Sequence, residues 1–242
     1  MCPHFEIGTT FLPAWMLFWA LGIVAAQIYF QLSGRHWGLR WYHSLLAGVC
    51  LLLTEMLGAK ILYLIENWQQ VQVQGMTFGG FSLFGVFFAV PVLSLLWARV
   101  FSVSYGDFLD YSAGGILLEL MFYRVGCFFT GCCGGWPSDS GWLMADETRR
   151  FPVQLLEVGG DLLILLVILW VVYRKANRPG LAFCLMLALY GALRFGLEFL
   201  REREILWLCF SGSHFLALAA CLVSFVLLLI MRKRRKNEKK LA

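Results

Sequence analysis

The sequence predicts an all-α membrane protein in which seven transmembrane helices form a single domain over residues 1–242. Hydrophobic residues make up 60% of the chain and charged residues only 14%, whereas a soluble domain carries about 25% charged residues. Apolar runs of about the 20 residues needed to cross the hydrocarbon recur along the chain. These runs cover residues 11–32, 44–65, 79–100, 109–129, 153–173, 180–200 and 213–231.

The distribution of positive charge predicts the orientation of the chain. The formal net charge of +5 comes from residues 232–242, a tail with seven Lys/Arg and one Glu, so it does not indicate a nucleic-acid-binding surface. With seven spans, one side of the membrane receives thirteen Lys/Arg including this tail, and the opposite side receives only Arg149, Arg150, Arg201 and Arg203. Because positive loops stay in the cytoplasm, we expect the N-terminus outside and the C-terminus in the cytoplasm.

Several ionisable residues lie within or near the predicted spans. Each ionised side chain at the centre of a span costs about 2.5–3.5 kcal/mol, so such residues normally face a protein interior or a watery cavity. Arg194 and Glu198 are four residues apart and therefore share one helix face. The full set, which we expect to outline a polar interior, is Glu55, Lys60, Glu66, Glu119, Arg124, Glu157, Asp161, Arg194 and Glu198.

Arg124 and Arg194 are the strongest candidates for a binding role. Both carry a permanent charge on a planar donor fork that suits phosphate, and both lie near the predicted outer boundary. Gly126 and Gly131 follow Arg124 closely, where they loosen the helix end and let backbone N–H groups approach an anion. The alternative is that each arginine is simply balanced by a carboxylate.

Five segments of the chain resemble one family of enzymes. The stretch RVGCFFTGC at 124–132 resembles the signature of the prolipoprotein diacylglyceryl transferases, roughly R-I/V-G-N-F-x-N-G-E. The other four segments follow the family's motifs in order and spacing, so the resemblance extends over about residues 50–205. They are LGAKILYLIEN at 57–67, GGFSLFG at 79–85, RRFPVQLLE at 149–157 and YGALRFGLEFLRE at 190–202.

The resemblance implies an activity and a set of site residues. The family transfers the diacylglyceryl group of phosphatidylglycerol to the lipobox cysteine of a preprolipoprotein, at the outer face of the bacterial cytoplasmic membrane, and releases glycerol phosphate. It implies no metal and no cofactor. Arg124 and Arg194 would hold the phosphate, with Glu198 orienting Arg194. The expected substrate-binding residues are Gly79, Gly80, Gly126, Gly131, Gln154, Glu157 and Tyr190.

This chain differs from the family motifs at the polar and proton-handling positions. Cys127 and Cys132 stand where the signature has an asparagine and the glutamate, and Phe84 stands where GGFSLFG would have a histidine. We therefore expect the catalytic set to include Cys132 and Cys127, with the acceptor left open. The remaining replacements are Thr130 for asparagine, Phe151 for histidine and Leu156 for tyrosine.

Three interpretations of Cys127, Cys132 and Cys133 stay open. In the first, the three thiols only fill space, because cysteine packs as a small apolar residue. Alternatively, Arg124 and the nearby helix end favour the thiolate form, which would make one of them a nucleophile. The third interpretation is redox or metal chemistry. The corresponding alternative functions are a non-catalytic phospholipid-binding or transport protein and a membrane thiol oxidoreductase that uses these three cysteines.

Overall fold

The fold is mostly helical, with two short antiparallel strand pairs. The computed structural model describes residues 4–7, 10–74, 80–144, 147–174, 178–202 and 210–241. The helices are α1 (Ala14–Gly34), α2 (Trp41–Glu66), α3 (Trp68–Gln74), α4 (Phe84–Val100), α5 (Tyr105–Thr130), α6 (Val153–Arg174), α7 (Leu181–Glu198) and α8 (Gly212–Leu241). The strands are β1 (His4–Ile7) paired with β2 (Thr10–Pro13), and β3 (Pro137–Leu143) paired with β4 (Arg149–Arg150).

Six of the described helices are long and apolar enough to cross a membrane: α1, α2, α5, α6, α7 and most of α8. The third predicted span, 79–100, is helical only over the 17 residues of α4, which also contains Pro91. The first span begins three residues later than predicted, because β2 occupies Thr10–Pro13. The strand pairs are a further departure from a purely helical fold. Both the seven-span count and the orientation stay predictions.

Helix α5 lies at the centre of the packing and is the most buried of the six candidate spans. It packs against α1, α4, α6 and α7. The hydroxyl of Ser104 accepts a hydrogen bond from the backbone N–H of Asp107 at 3.2 Å and caps its start. Its end is set by Gly131, whose φ of 80° places it in the left-handed region. The side chains near this end, including Arg124, therefore have fixed positions.

Asp110 attaches the start of α7 to the start of α5. Its carboxylate accepts hydrogen bonds from the N–H groups of Gly180 at 2.8 Å and Phe183 at 2.9 Å, an arrangement that the positive end of a helix favours. Asp110 lies fourteen residues before Arg124 on α5. At a rise of about 1.5 Å per residue, that separation is about 21 Å.

The connection between α5 and α6 is tied to the end of α7. Gly135 forms an isolated antiparallel bridge with Arg201, and the N–H of Trp136 donates to the carbonyl of Leu200 at 3.1 Å. At the surface, Arg150 pairs with Glu202. The hairpin of β3 and β4 therefore holds the residues that follow α7 beside the last turn of α5.

Candidate active site

Three arginines converge on one carboxylate. Glu157, on the second turn of α6, is fully buried. Its Oε2 forms an ion pair with Arg124 Nε at 2.9 Å and accepts a hydrogen bond from Arg201 Nη2 at 2.6 Å. Its Oε1 accepts one from Arg194 Nη1. Because the arginines come from α5, from α7 and from the segment after α7, Glu157 joins three parts of the chain; we call these four residues the arginine cluster.

A second carboxylate fixes the orientation of Arg194. Glu198, one turn further along α7, accepts a hydrogen bond from Arg194 Nη2 at 3.2 Å. The other oxygen of Glu198 accepts from the hydroxyl of Ser211 at 3.0 Å, and that hydroxyl lies 3.1 Å from Nδ1 of His214. Both terminal nitrogens of Arg194 are thus held by carboxylates that are themselves held in place.

The charges and donors of this site favour an anionic ligand. In the described part of the chain, three guanidinium groups pair with two carboxylates, Glu157 and Glu198, in a buried site. Among the described residues, Nε of Arg194 and both Nε and Nη1 of Arg201 have no hydrogen-bond partner. Leaving a buried donor unpaired costs about 1–3 kcal/mol. Anionic oxygens would satisfy these donors.

Two aromatic residues border Arg194. Tyr190 is buried one turn before it on α7, its ring lies 4.6 Å from that of Phe87, and its hydroxyl has no partner among the described residues. The guanidinium carbon of Arg194 lies 5.9 Å from the centre of the Phe84 ring. The residue that replaces the motif histidine therefore gives Arg194 an aromatic face but no proton acceptor.

Three thiols gather at the end of α5. The sulfur atoms of Cys127, Cys132 and Cys133 all lie within 4.8 Å of one another; we call this group the thiol cluster. The left-handed Gly131 ends the helix, and Cys133 has a φ of 61°, a conformation rare for non-glycine residues. Gln154 Nε2 donates to the carbonyl of Cys132 at 2.6 Å and holds the turn against α6.

Within this group, negative charge is favoured on Cys133. Hydrogen bonds from the thiols of Cys127 and Cys132 lower the pKa of Cys133, and the charges of Arg124 and Arg201 lower it further. The pKa of Cys132 is raised by its hydrogen bonding with the neighbouring thiols and by burial. The charges of the two arginines thus act on the thiol of Cys133, next to Cys132, the residue favoured by the motif comparison.

An apolar cavity of about 720 Å³ lies between α1, α2, α4 and α5. Its walls are mostly aromatic and aliphatic, and Thr130 and Cys132 line it near the end of α5. Two buried carboxyl groups, Glu55 and Glu119, also line it. The cavity therefore reaches the thiol cluster, while no member of the arginine cluster lines it.

Comparison with known proteins decides the family. A family model described as prolipoprotein diacylglyceryl transferase matches residues 4–230. The chain belongs to this family. The phosphatidylglycerol–prolipoprotein diacylglyceryl transferase of Bordetella avium is 34% identical over 169 residues, 66% of this chain and 64% of that protein. The enzymes of the same name from Clostridium tetani and Dehalococcoides mccartyi strain BAV1 are 25% identical, over 232 residues (90% and 92%) and 250 residues (97% and 95%).

The resemblance read from five short segments is thus confirmed, and the structure shows which of the expected residues it brings together. Arg124, Arg194, Glu157 and Glu198 form one connected network. Tyr190 lies one turn from Arg194 on the same helix. The structure also places four other expected residues beside this network. They belong to the thiol cluster or to the turn that carries it: Cys127, Cys132, Gly131 and Gln154.

The remaining glycines have other surroundings. A Cβ on Gly126 would lie 2.8 Å from the backbone of Trp15, so this glycine permits close packing of α5 on α1 rather than approach to an anion. Gly80, with a φ of 78°, packs against Tyr63, and its carbonyl accepts a hydrogen bond from Lys60 at 3.4 Å. Gly79 lies outside the described residues.

Sequence reasoning did not include Arg201, Ser211 or His214 among the site residues. Arg201 follows the predicted sixth span, where it counted only as an outer-loop charge. Its position three residues after Glu198, at the end of the motif segment YGALRFGLEFLRE, was the available signal. Ser211 and His214 had no comparable signal, because the contact of Ser211 with Glu198 depends on how α8 packs beside α7, and His214 reaches Glu198 only through Ser211.

Proposed function

We propose that this protein is a membrane transferase that moves a diacylglyceryl group from phosphatidylglycerol to a thiol acceptor, such as the lipobox cysteine of a preprolipoprotein, and releases glycerol phosphate. The observation that carries the proposal is the convergence of Arg124, Arg194 and Arg201 on Glu157 in a buried site. The names of the relatives supply the two substrates.

The arginine cluster fits both the lipid phosphate and its departure. A phosphodiester carries one negative charge, and its oxygens suit the planar donors of Arg194 and Arg201 that lack a partner in the described structure. When the carbon–oxygen bond breaks, further negative charge develops on the departing phosphate. Donors that are already oriented stabilise this charge without reorganisation.

The apolar cavity fits the acyl part of the same lipid. Its volume of about 720 Å³ lies within the range of about 300–1,000 Å³ typical of small-ligand pockets. Tyr123 lines the cavity, while the next residue, Arg124, binds Glu157. Adjacent positions on α5 therefore place an apolar site for acyl chains beside a cationic site for the headgroup.

We also propose the topology of a seven-span protein of the bacterial cytoplasmic membrane, folded as one domain over residues 1–242, in which α4 provides the third span. The arginine cluster lies where α5 ends, α6 begins and α7 ends, so its members share one side of the bundle. The Lys/Arg-rich tail lies at the far end of α8. Together with the positive-inside rule, this arrangement supports a site that faces the outer side.

The test is transfer of labelled phosphatidylglycerol to a lipobox peptide by the purified full-length protein. We expect Arg124→Ala to lower the transfer rate by at least about 100-fold, which is the typical cost of removing one donor to developing negative charge. Arg149→Ala is the matched control, because Arg149 is exposed on β4 and should leave the rate unchanged.

The outcomes separate the alternatives. Unchanged turnover in Arg124→Ala would remove the proposed role of the arginine cluster. Binding of phosphatidylglycerol without any product would instead favour the non-catalytic lipid-binding protein. Label recovered on the protein rather than on the peptide would identify one of its own thiols as the acceptor.

A further inference from the structure

We propose that Cys127, Cys132 and Cys133 bind one zinc ion and that the thiol of the acceptor occupies its fourth coordination position. This inference rests on the proposed function, because it assigns the zinc ion to the activation of the acceptor. Nothing in the family resemblance implies it. The cysteines at 127 and 132 stand where the motif has an asparagine and a glutamate.

The geometry of the thiol cluster suits a tetrahedral metal. With zinc–sulfur bonds of about 2.3 Å, sulfur ligands lie about 3.8 Å apart in tetrahedral coordination. The three sulfur atoms already lie within 4.8 Å of one another, so closing on an ion requires movements of about 1 Å. The left-handed conformations of Gly131 and Cys133 maintain this convergence, and the hydrogen bond from Gln154 fixes the turn between α5 and α6.

The number and type of ligands indicate zinc with an open position. Thiolates select soft or borderline ions such as zinc, and three protein ligands with a free fourth position are the arrangement of catalytic rather than structural zinc sites. In the described part of the chain, the cluster contains three sulfur ligands and no histidine or carboxylate. Zinc with three thiolates carries one negative charge, which the neighbouring Arg124 and Arg201 would balance.

The position of the cluster suits the proposed reaction. Cys132 lines the apolar cavity, and the charges of Arg124 and Arg201 act on Cys133. An ion held here would lie between the site proposed for acyl chains and the site proposed for the phosphate. The bond to be broken in phosphatidylglycerol joins these same two parts of the lipid.

The chemistry balances without a change of oxidation state. The acceptor thiol binds zinc as a thiolate and gives its proton to water. Its sulfur then attacks the glycerol carbon that carries the phosphate, so a carbon–sulfur bond forms while the carbon–oxygen bond breaks. The electron pair of that bond goes to the phosphate oxygen, and glycerol phosphate leaves. The thioether product is a weaker ligand than a thiolate and dissociates. Zinc would thus replace the proton acceptor that Phe84 cannot provide.

The test measures metal binding separately from catalysis. We expect the purified full-length protein in detergent to contain one zinc per chain, and the cobalt-substituted protein to show thiolate-to-cobalt charge-transfer bands of a tetrahedral site. Addition of a lipobox peptide should raise the charge-transfer intensity by about a third, since three thiolates become four. The same peptide with serine in place of its cysteine should not change the spectrum.

Substitutions identify the ligands. We expect Cys127→Ala, Cys132→Ala and Cys133→Ala each to weaken cobalt binding by at least about 100-fold, since even loss of an outer-shell partner costs about 10–100-fold. Cys184→Ala is the matched control, because Cys184 is buried in α7 and lies outside the cluster. This control should retain both the bands and the response to the peptide.

Three results would each overturn the zinc proposal. The purified protein could contain no zinc and show no thiolate bands with cobalt, or mass spectrometry could find a disulfide within the cluster. The cobalt spectrum could also stay unchanged when the peptide thiol is added. Lipid transfer assayed on the same preparations separates the two proposals. Full transfer by metal-free protein removes the zinc role and leaves the transferase intact. Stoichiometric zinc that binds the peptide thiol, without any product from phosphatidylglycerol, contradicts the transferase instead.

Discussion

Replacing Glu157 by glutamine should destabilise the protein strongly, because Glu157 compensates three buried arginines. Glu157→Gln keeps the size and shape of the side chain but removes its charge. In the described part of the chain, Arg194 would then keep its pair with Glu198, while Arg124 and Arg201 would lose their carboxylate partner. Removing one partner of a buried ion pair costs about 3–5 kcal/mol. For a chain of about this size, each kcal/mol shifts Tm by about 2–4 °C, so we expect Tm to fall by about 10 °C.

The assay heats the full-length protein in detergent and measures, at each temperature, the fraction of protein that stays monodisperse. Glu202→Gln is the control, since Glu202 also pairs with an arginine, Arg150, but its side chain is 47% exposed. Exposed pairs contribute less than about 1 kcal/mol, so its Tm should fall by no more than about 4 °C. If both variants melt within about 4 °C of the wild type, Glu157 does not compensate the arginines and the reasoning fails.

Two further predictions concern helix packing and the opposite end of the bundle. Gly85→Ala should cost about 1–3 kcal/mol of stability by overpacking, because its Cβ would lie 2.1 Å from the carbonyl oxygen of Gly58 on α2. Gly159→Ala is the control, because its Cβ meets nothing within 4 Å. Equal Tm values for the two variants would contradict close packing of α2 and α4. Asp110→Asn should cost about 1 kcal/mol of stability, because it removes the negative charge at the start of α7. The transfer rate should stay unchanged, because Asp110 lies about 21 Å from Arg124 along α5. A large loss of transfer would show that Asp110 has a role in the site.

Much of the helical fold is predictable, because a run of about 20 apolar residues has few alternatives to crossing a bilayer as a helix. The predicted helix boundaries are wrong where the local backbone conformation determines the first residue of the helix. The third run was predicted to begin at residue 79, but Gly80 has a φ of 78° and α4 begins only at Phe84. The pairing of His4–Ile7 with Thr10–Pro13 was missed, because strands of four residues leave too short a pattern to recognise.

The site was predictable where the sequence spacing fixes a contact. Arg194 and Glu198 are four apart on one helix, and the structure pairs them. The pairing of Arg124 with Glu157 depends on the packing of α5 against α6, so the spacing of residues along the chain does not predict it. Arg201 was harder still, because it follows the helix and reaches Glu157 only through the fold.

Neighbouring residues of α5 contribute to two different sites, and this arrangement has a consequence for how the protein can evolve. Tyr123 and Arg124 are neighbours in the chain, yet one borders the apolar cavity and the other belongs to the cationic network. Most of the other cavity walls come from α1, α2, α4 and the residues just before α4, none of which supplies a member of that network. If the cavity holds the acyl chains as proposed, substitutions on these helices can adapt it to fatty acids of another length or branching without changing the arginine cluster.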